Sequence, residues 1–248
     1  MGKLEKDPVN RDSYDLADYE VVFEDDFDGE DLDMKKWSRC PEWQRQDHGG
    51  FWENDCVYLK DGNLVLESRR GKEHLESGAV RTKTKFQQVG GAYQIRFKAE
   101  KKSGVWSAFW LMYSGTPVID GKAETDGEID IFEIISNDRG QKYLNSAVHW
   151  DGYGKEHKSK GSKAPVTDDF YDQWHTCTFF WGEEYYVAYL DDAETPYWKG
   201  KVSEYGGPAV TPHYIKVTSE FGKWNGPVVD EELPSYFLVD WVKAYKRK

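Results

Sequence analysis

Gly127-Glu128-Ile129-Asp130-Ile131-Phe132-Glu133-Ile134-Ile135 decides how this chain folds. Carboxylates alternate with branched apolar residues, the pattern of a half-buried β-strand. Strand side chains repeat every two residues, so Glu128 and Asp130 share one face while Ile129 and Ile131 enter a core. Glu133 breaks the rule. In a regular strand it would face inward with the isoleucines, and a buried lone carboxylate is costly. A β-bulge at Ile131-Phe132 removes the conflict, because one extra residue turns Glu133 back to the face of Glu128 and Asp130.

With the bulge, Glu128 and Glu133 stand effectively four strand positions apart, roughly 13 Å between Cα atoms at about 3.3 Å per residue. Each side chain can lean along the strand, which brings the carboxyl groups to about 5 to 6 Å. That is near the separation used by glycosidases that retain configuration. Three acids so close cannot all ionise freely, so one should stay protonated near neutral pH while another is ionised. The same alternation also suits any solvent-facing strand of an antiparallel sheet. The rest of the chain must decide.

At 248 residues the chain suits one large β-domain, residues 20–248, preceded by a polar, loosely packed arm over 1–19. Aromatics reach 16%, with 11 Trp and 16 Tyr, more than a core of this size needs, which leaves rings for a binding surface. A net charge of −12 argues against nucleic acid and anionic membranes as partners and fits a monomer acting on a neutral substrate. No run approaches the roughly 18 apolar residues of a membrane span. The arm lacks the apolar stretch of a secretory signal, so the protein is either cytoplasmic or secreted with its signal removed. Cys40, Cys56 and Cys177 form no disulfide framework, although a Cys40–Cys56 bridge and free buried thiols are both open.

About a dozen short strands follow along the chain, with no helix-length period and no linker, and these point to a β-sandwich. Asp61-Gly62 is a hairpin turn signal between Cys56–Leu59 and Leu64–Glu67. Residues 38–54 and the Gly- and Lys-rich 151–169 read as loops. In Val105-Trp106-Ser107-Ala108-Phe109-Trp110-Leu111, alternation sets Trp106 and Trp110 on one face, either as core or beside the acids, where a flat ring suits the apolar face of a sugar. His149 lies on the expected partner strand of the acids, where it could contact them or hold a structural place.

At this point Glu128-Ile129-Asp130-Ile131-Phe132-Glu133 resembles the E-x-D-x-x-E motif of glycoside hydrolase family 16. Phe23 to Gly29, Gly104 to Met112, Trp174 to Asp191 and Val239 to Tyr245 resemble the same family in order. The resemblance implies an all-β fold, a jelly-roll sandwich of two bent antiparallel sheets with a concave polysaccharide cleft. It implies internal cleavage of β-linkages with retention, Glu128 as nucleophile, Glu133 as general acid/base and Asp130 assisting. Trp106, Trp110, His149, Asn54, Arg81 and Trp224 become candidate sugar contacts. No cofactor is required, although the resemblance implies a structural calcium ion near Asp26, the Gly62 carbonyl and Asp240. The extra residue before Glu133 is similar to the laminarinase- and agarase-like branch. A β-1,3- or mixed-linkage glucan is the first expectation, with a β-galactan as the alternative. Lys122 to Gly127 lacks the Trp-Pro pair of many β-1,3-glucanases, so the glucan is not secured. A non-catalytic carbohydrate-binding module is a weaker alternative, since it has no need of two acids at this spacing.

Overall fold

The computed structural model describes residues 14–40, 43–44 and 49–248. Two sheets face each other around one core. The smaller has seven strands in the order Lys158–Pro165, Lys142–Trp150, Glu128–Ser136, Val105–Tyr113, His213–Phe221, Ala79–Arg81 and Ser38–Arg39. The larger sheet runs from Trp198–Lys201 through Tyr185–Leu190, His175–Trp181, Gly91–Ala99, Ser235–Arg247 and Asn63–Arg70 to shorter strands at its far edge. Pairing is antiparallel except where Gly50–Trp52 meets Leu75–Ser77. No helix of the described residues is long and apolar enough to cross a membrane.

Period-two alternation explains the core. Tyr93, Ile95 and Phe97 of the larger sheet meet Phe109, Leu111, Ile129, Val148 and Val217 of the smaller one. The acidic strand departs from the period once. Asp130 pairs with Ala147 and Glu133 with Asn145, so three steps on one strand match two on its neighbour. Ile131 and Phe132 both enter the core as a result. The Phe132 ring lies 4.6 Å from that of Phe97 across the two sheets and 6.0 Å from Phe109. The bulge expected at Ile131-Phe132 is present.

Other expectations needed correcting. Residues 158–165, expected within a loop, form an edge strand paired with Tyr143–Trp150. Its Gly, Ser and Lys content hid it, because an edge strand that is mostly exposed needs no apolar alternation. Residues 38–54, also expected as a loop, contribute the short strands Ser38–Arg39, Trp43–Gln44 and Gly50–Trp52. Residues 1–13 of the expected arm lie outside the described residues. Tyr14 and Tyr19 are packed rather than loose, with rings 5.3 and 5.6 Å from Phe180 on the outer face of the larger sheet. The Asp61-Gly62 hairpin is as expected, with φ of 52° and 71° at its two turn residues. All three cysteines are buried, and burial pushes the Cys56 and Cys177 thiols up to about 12.

Phe132→Ala should destabilise the protein by about 3 to 5 kcal/mol, the usual cost of emptying a large ring's site in a packed core. Urea unfolding midpoints of the variant and wild type measure it.

Candidate active site

The outward face of the smaller sheet carries the acids. Glu128 and Glu133 are half-buried there, with Asp130 buried between them. Each has its own neighbour on the next strand. Glu128 stands opposite His149, and Glu133 opposite Asn145. The Asn145 amide donates to Glu133 Oε2 at 2.9 Å. His149 Nε2 lies 3.1 Å from Asp130 Oδ2, and its Nδ1 lies 2.9 Å from His157 Nε2. Ligand atoms of Glu128, Asp130 and His149 fall within 4.8 Å of one another.

A turn after Trp150 completes the group. Asp151 and Gly152 take φ of 61° and 66°, which bends the chain back over the sheet. The buried Asp126 Oδ2 accepts the Gly152 N–H at 2.8 Å, and Asp151 Oδ1 accepts those of Asp120 and Gly121. Lys158 binds Asp151 Oδ2 at 2.7 Å. So anchored, the turn delivers Tyr153, whose hydroxyl donates to Glu128.

Electrostatics separate the two glutamates. Burial, reinforced by the Asp130 charge, pushes Glu133 well above the ordinary carboxylate range, against the pull of Asn145. Burial and Asp130 also raise Glu128, but His149, the Tyr153 hydroxyl and Lys216 oppose them and leave it at about 7. Burial works against a charge on His149. The Asp130 carboxylate outweighs it and raises the imidazole to about 9. Near neutral pH the face therefore holds one protonated carboxyl, one titrating carboxylate and a cationic imidazole.

Trp106 and Trp110 lie on the acid face, yet they are only 4% and 6% exposed. With Ala108, Ile135 and Tyr143 they form a small apolar floor separate from the main core. Trp110 Nε1 donates to Thr218 Oγ1, and that hydroxyl donates to Glu220. Trp224 is 36% exposed and packs edge-on against Trp106 at 5.6 Å, so it offers the accessible ring. Arg81 stands opposite Lys216 across the His213–Phe221 strand. Asn54 is not brought to the acids. It is exposed in a short turn and lines a hollow with Met34, Arg39 and Tyr58.

Sequence reasoning missed Asn145 and Lys216, and it set Tyr153 and His157 in a segment that could shape one end of the cleft without giving them contacts at the acids. The Lys216 ammonium sits 3.7 Å from the Trp110 ring centroid and 4.5 Å from that of Trp52. A signal existed, since Tyr214-Ile215-Lys216-Val217-Thr218 alternates as the acidic strand does. The expected calcium ligands fit a cage poorly. Asp240 is held by Arg96 at 2.5 Å, a fixed cation that competes with a metal, and Asp26 is exposed. Calcium takes six to eight oxygens. No step described below runs through a metal.

A sequence profile described as glycosyl hydrolases family 16 matches residues 44–243. The chain belongs to this family. Glucan endo-1,3-beta-glucosidase A1 of Niallia circulans is 22% identical over 268 residues, covering 94% of this chain and 39% of that protein. The keratan-sulfate endo-1,4-beta-galactosidase of Sphingobacterium multivorum is 25% identical over 256 residues, covering 96% of this chain and 58% of its own. The chain thus spans less than two thirds of both relatives. The crystal structure of a non-specific endo-β-1,3(4)-glucanase of family 16 superposes with a TM-score of 0.78 at 24% identity, covering 94% of this chain and 92% of that one. The two share this two-sheet fold.

Two measurements check the electrostatics. In an NMR titration, His149 should hold its proton to about pH 9. In Asp130→Asn its pKa should fall, because burial is then opposed only by the charges of Glu128 and Glu133. Glu128 in turn has a folded pKa of about 7 against an ordinary 4.5, so the folded state loses stability as pH rises from about 4.5 through 7. Glu128→Gln removes that loss. Its melting temperature should exceed wild type by several degrees at pH 8, since a shift of this size is worth more than one kcal/mol and each kcal/mol moves the midpoint by about 2–4 °C in a chain of this size. By pH 4 the two should converge.

Proposed function

We propose that this chain is an endo-acting β-glycanase that retains anomeric configuration. The observation that carries the reading is the shared placement of Glu128 and Glu133 on one sheet face, with only the second held firmly protonated. Glu133 protonates the glycosidic oxygen while Glu128 attacks the anomeric carbon and forms a glycosyl ester. Glu133, now ionised, takes a proton from water, and the resulting hydroxide displaces Glu128. The cationic His149 and the Tyr153 hydroxyl steady the Glu128 carboxylate as it accepts and loses the sugar. Asp130 holds His149 in place. Trp224 is the ring that stacks on a sugar further along the open cleft. The protein acts as a secreted monomer on a polysaccharide.

A β-1,3- or mixed-linkage glucan is the favoured substrate, in keeping with the first relative's name. A second reading, a β-galactan bearing anionic groups, has its own support. Lys216 and Arg81 stand side by side on the acid face, where like charges directly opposite are destabilising. Arg81 Nε is buried and finds no hydrogen-bond partner among the described residues. An anionic substituent would answer the Arg81 Nε–H.

Reducing-end release from laminarin, lichenan, agarose, carrageenan and keratan sulfate decides between them. Glu128→Gln and Glu133→Gln should each lower the rate on the true substrate about a thousandfold or more. Equal background release by wild type and Glu128→Gln on every glycan would mean the protein is not a hydrolase. Because Glu128 must be ionised, kcat/KM should climb with pH through about 7. In Tyr153→Phe that limb should move to higher pH, since the lost hydroxyl favoured the charged form. For the second reading, Lys216→Met should cut turnover of the sulfated galactans by more than that of laminarin, which loses only what the raised Glu128 pKa costs.

A further inference from the structure

A strand with one residue too many has a gap in its ladder. Here the gap lies between the pairs Asp130–Ala147 and Glu133–Asn145, and the Ile131 carbonyl falls inside it. Two hydroxyls fill the gap. Ser146, buried on the neighbouring strand, donates its Oγ–H to Ile131 O at 2.7 Å. Tyr197 donates to the same oxygen at 2.8 Å. Tyr197 belongs to the loop before Trp198–Lys201, and its hydroxyl is 3.4 Å from Cys177 Sγ on the larger sheet. A polar chain therefore crosses the apolar core from one sheet to the irregular point of the other.

The alternative arrangement shows what these bonds do. A regular strand would pair Ile131 with Ser146 and Phe132 with Asn145, and would turn Glu133 into the core. The two hydroxyls meet the Ile131 carbonyl only in the bulged form, so they bias the strand toward it. We propose that Ser146 and Tyr197 are positioning residues for Glu133, fixing the Ile131 carbonyl and with it the bulge that sets the acid beside Glu128. This rests on the glycanase reading above.

The test compares two leaving groups. Protonation by Glu133 is needed to expel a sugar alcohol but not 2,4-dinitrophenolate, so a displaced Glu133 harms only the first. Ser146→Ala and Tyr197→Phe are assayed for kcat/KM, which reports the glycosylation step. The substrates are an unmodified oligosaccharide of the polysaccharide cleaved by wild type and its 2,4-dinitrophenyl β-glycoside. On the oligosaccharide each variant should lose about ten- to a hundredfold, the effect of misplacing a reacting group by about an ångström. KM should stay within about twofold. On the dinitrophenyl glycoside the loss should be under about threefold. Ser146→Thr, which keeps the hydroxyl, should restore most of the activity.

Equal losses on both substrates, or none on either, would overturn the proposal, as would a failure of Ser146→Thr to outperform Ser146→Ala. If Tyr197→Phe does not fold, the Ser146 pair decides alone. A crystal structure of Ser146→Ala adds a reading independent of turnover: Glu133 unmoved beside Asn145 counts against the proposal, and a shifted or relaxed bulge supports it. Wild type inert on every glycan from laminarin to keratan sulfate would instead reject the glycanase reading.

Discussion

One extra residue in one strand is the constraint on which the rest depends. A sheet whose inward face is closed by Phe97, Phe109 and Phe132 leaves no room for an ionised group. The same sheet must present two glutamates outward from a segment whose spacing forbids it in regular form. The bulge reconciles the two demands. It sends Ile131 and Phe132 inward together, which strengthens the core, and it returns Glu133 to the open face. Stability and chemistry are therefore settled by the same backbone irregularity.

Charge on that face is balanced across strands. Asp130 raises both glutamates through its own negative charge. His149 and Lys216 then favour the ionised form of Glu128, while Glu133 has chiefly the neutral amide of Asn145. Two identical side chains on one strand acquire different protonation states because their neighbours on adjacent strands differ. Trp106 and Trp110 are almost fully buried and form an apolar floor on the same face.

The fold was legible because strands write themselves as alternation. The bulge was legible for the same reason, since Glu133 violated a period that Glu128, Ile129, Asp130 and Ile131 had set. What escaped lies where pattern carries no information. The Lys158–Pro165 strand has no buried face to write into its sequence. Tyr153 reaches Glu128, and His157 reaches His149, through a turn held by Asp126 and Asp151, and no local spacing announces those contacts. Trp106 and Trp110 lay on the expected face, but their depth was set by neighbours on other strands. Asn54, suggested by family position alone, is exposed in a turn and lines a hollow with Arg39 and Tyr58.

The lysine-bearing margin at residues 158–165 has a consequence for how molecules meet in solution. A free sheet border offers another chain a template for continued pairing, the first step toward fibrils. Ammonium groups along this border repel a second copy of themselves, while Lys158 and Lys160 remain tied to Asp151 and Glu204 of their own molecule. Like charge along this border thus works against strand pairing with a second copy.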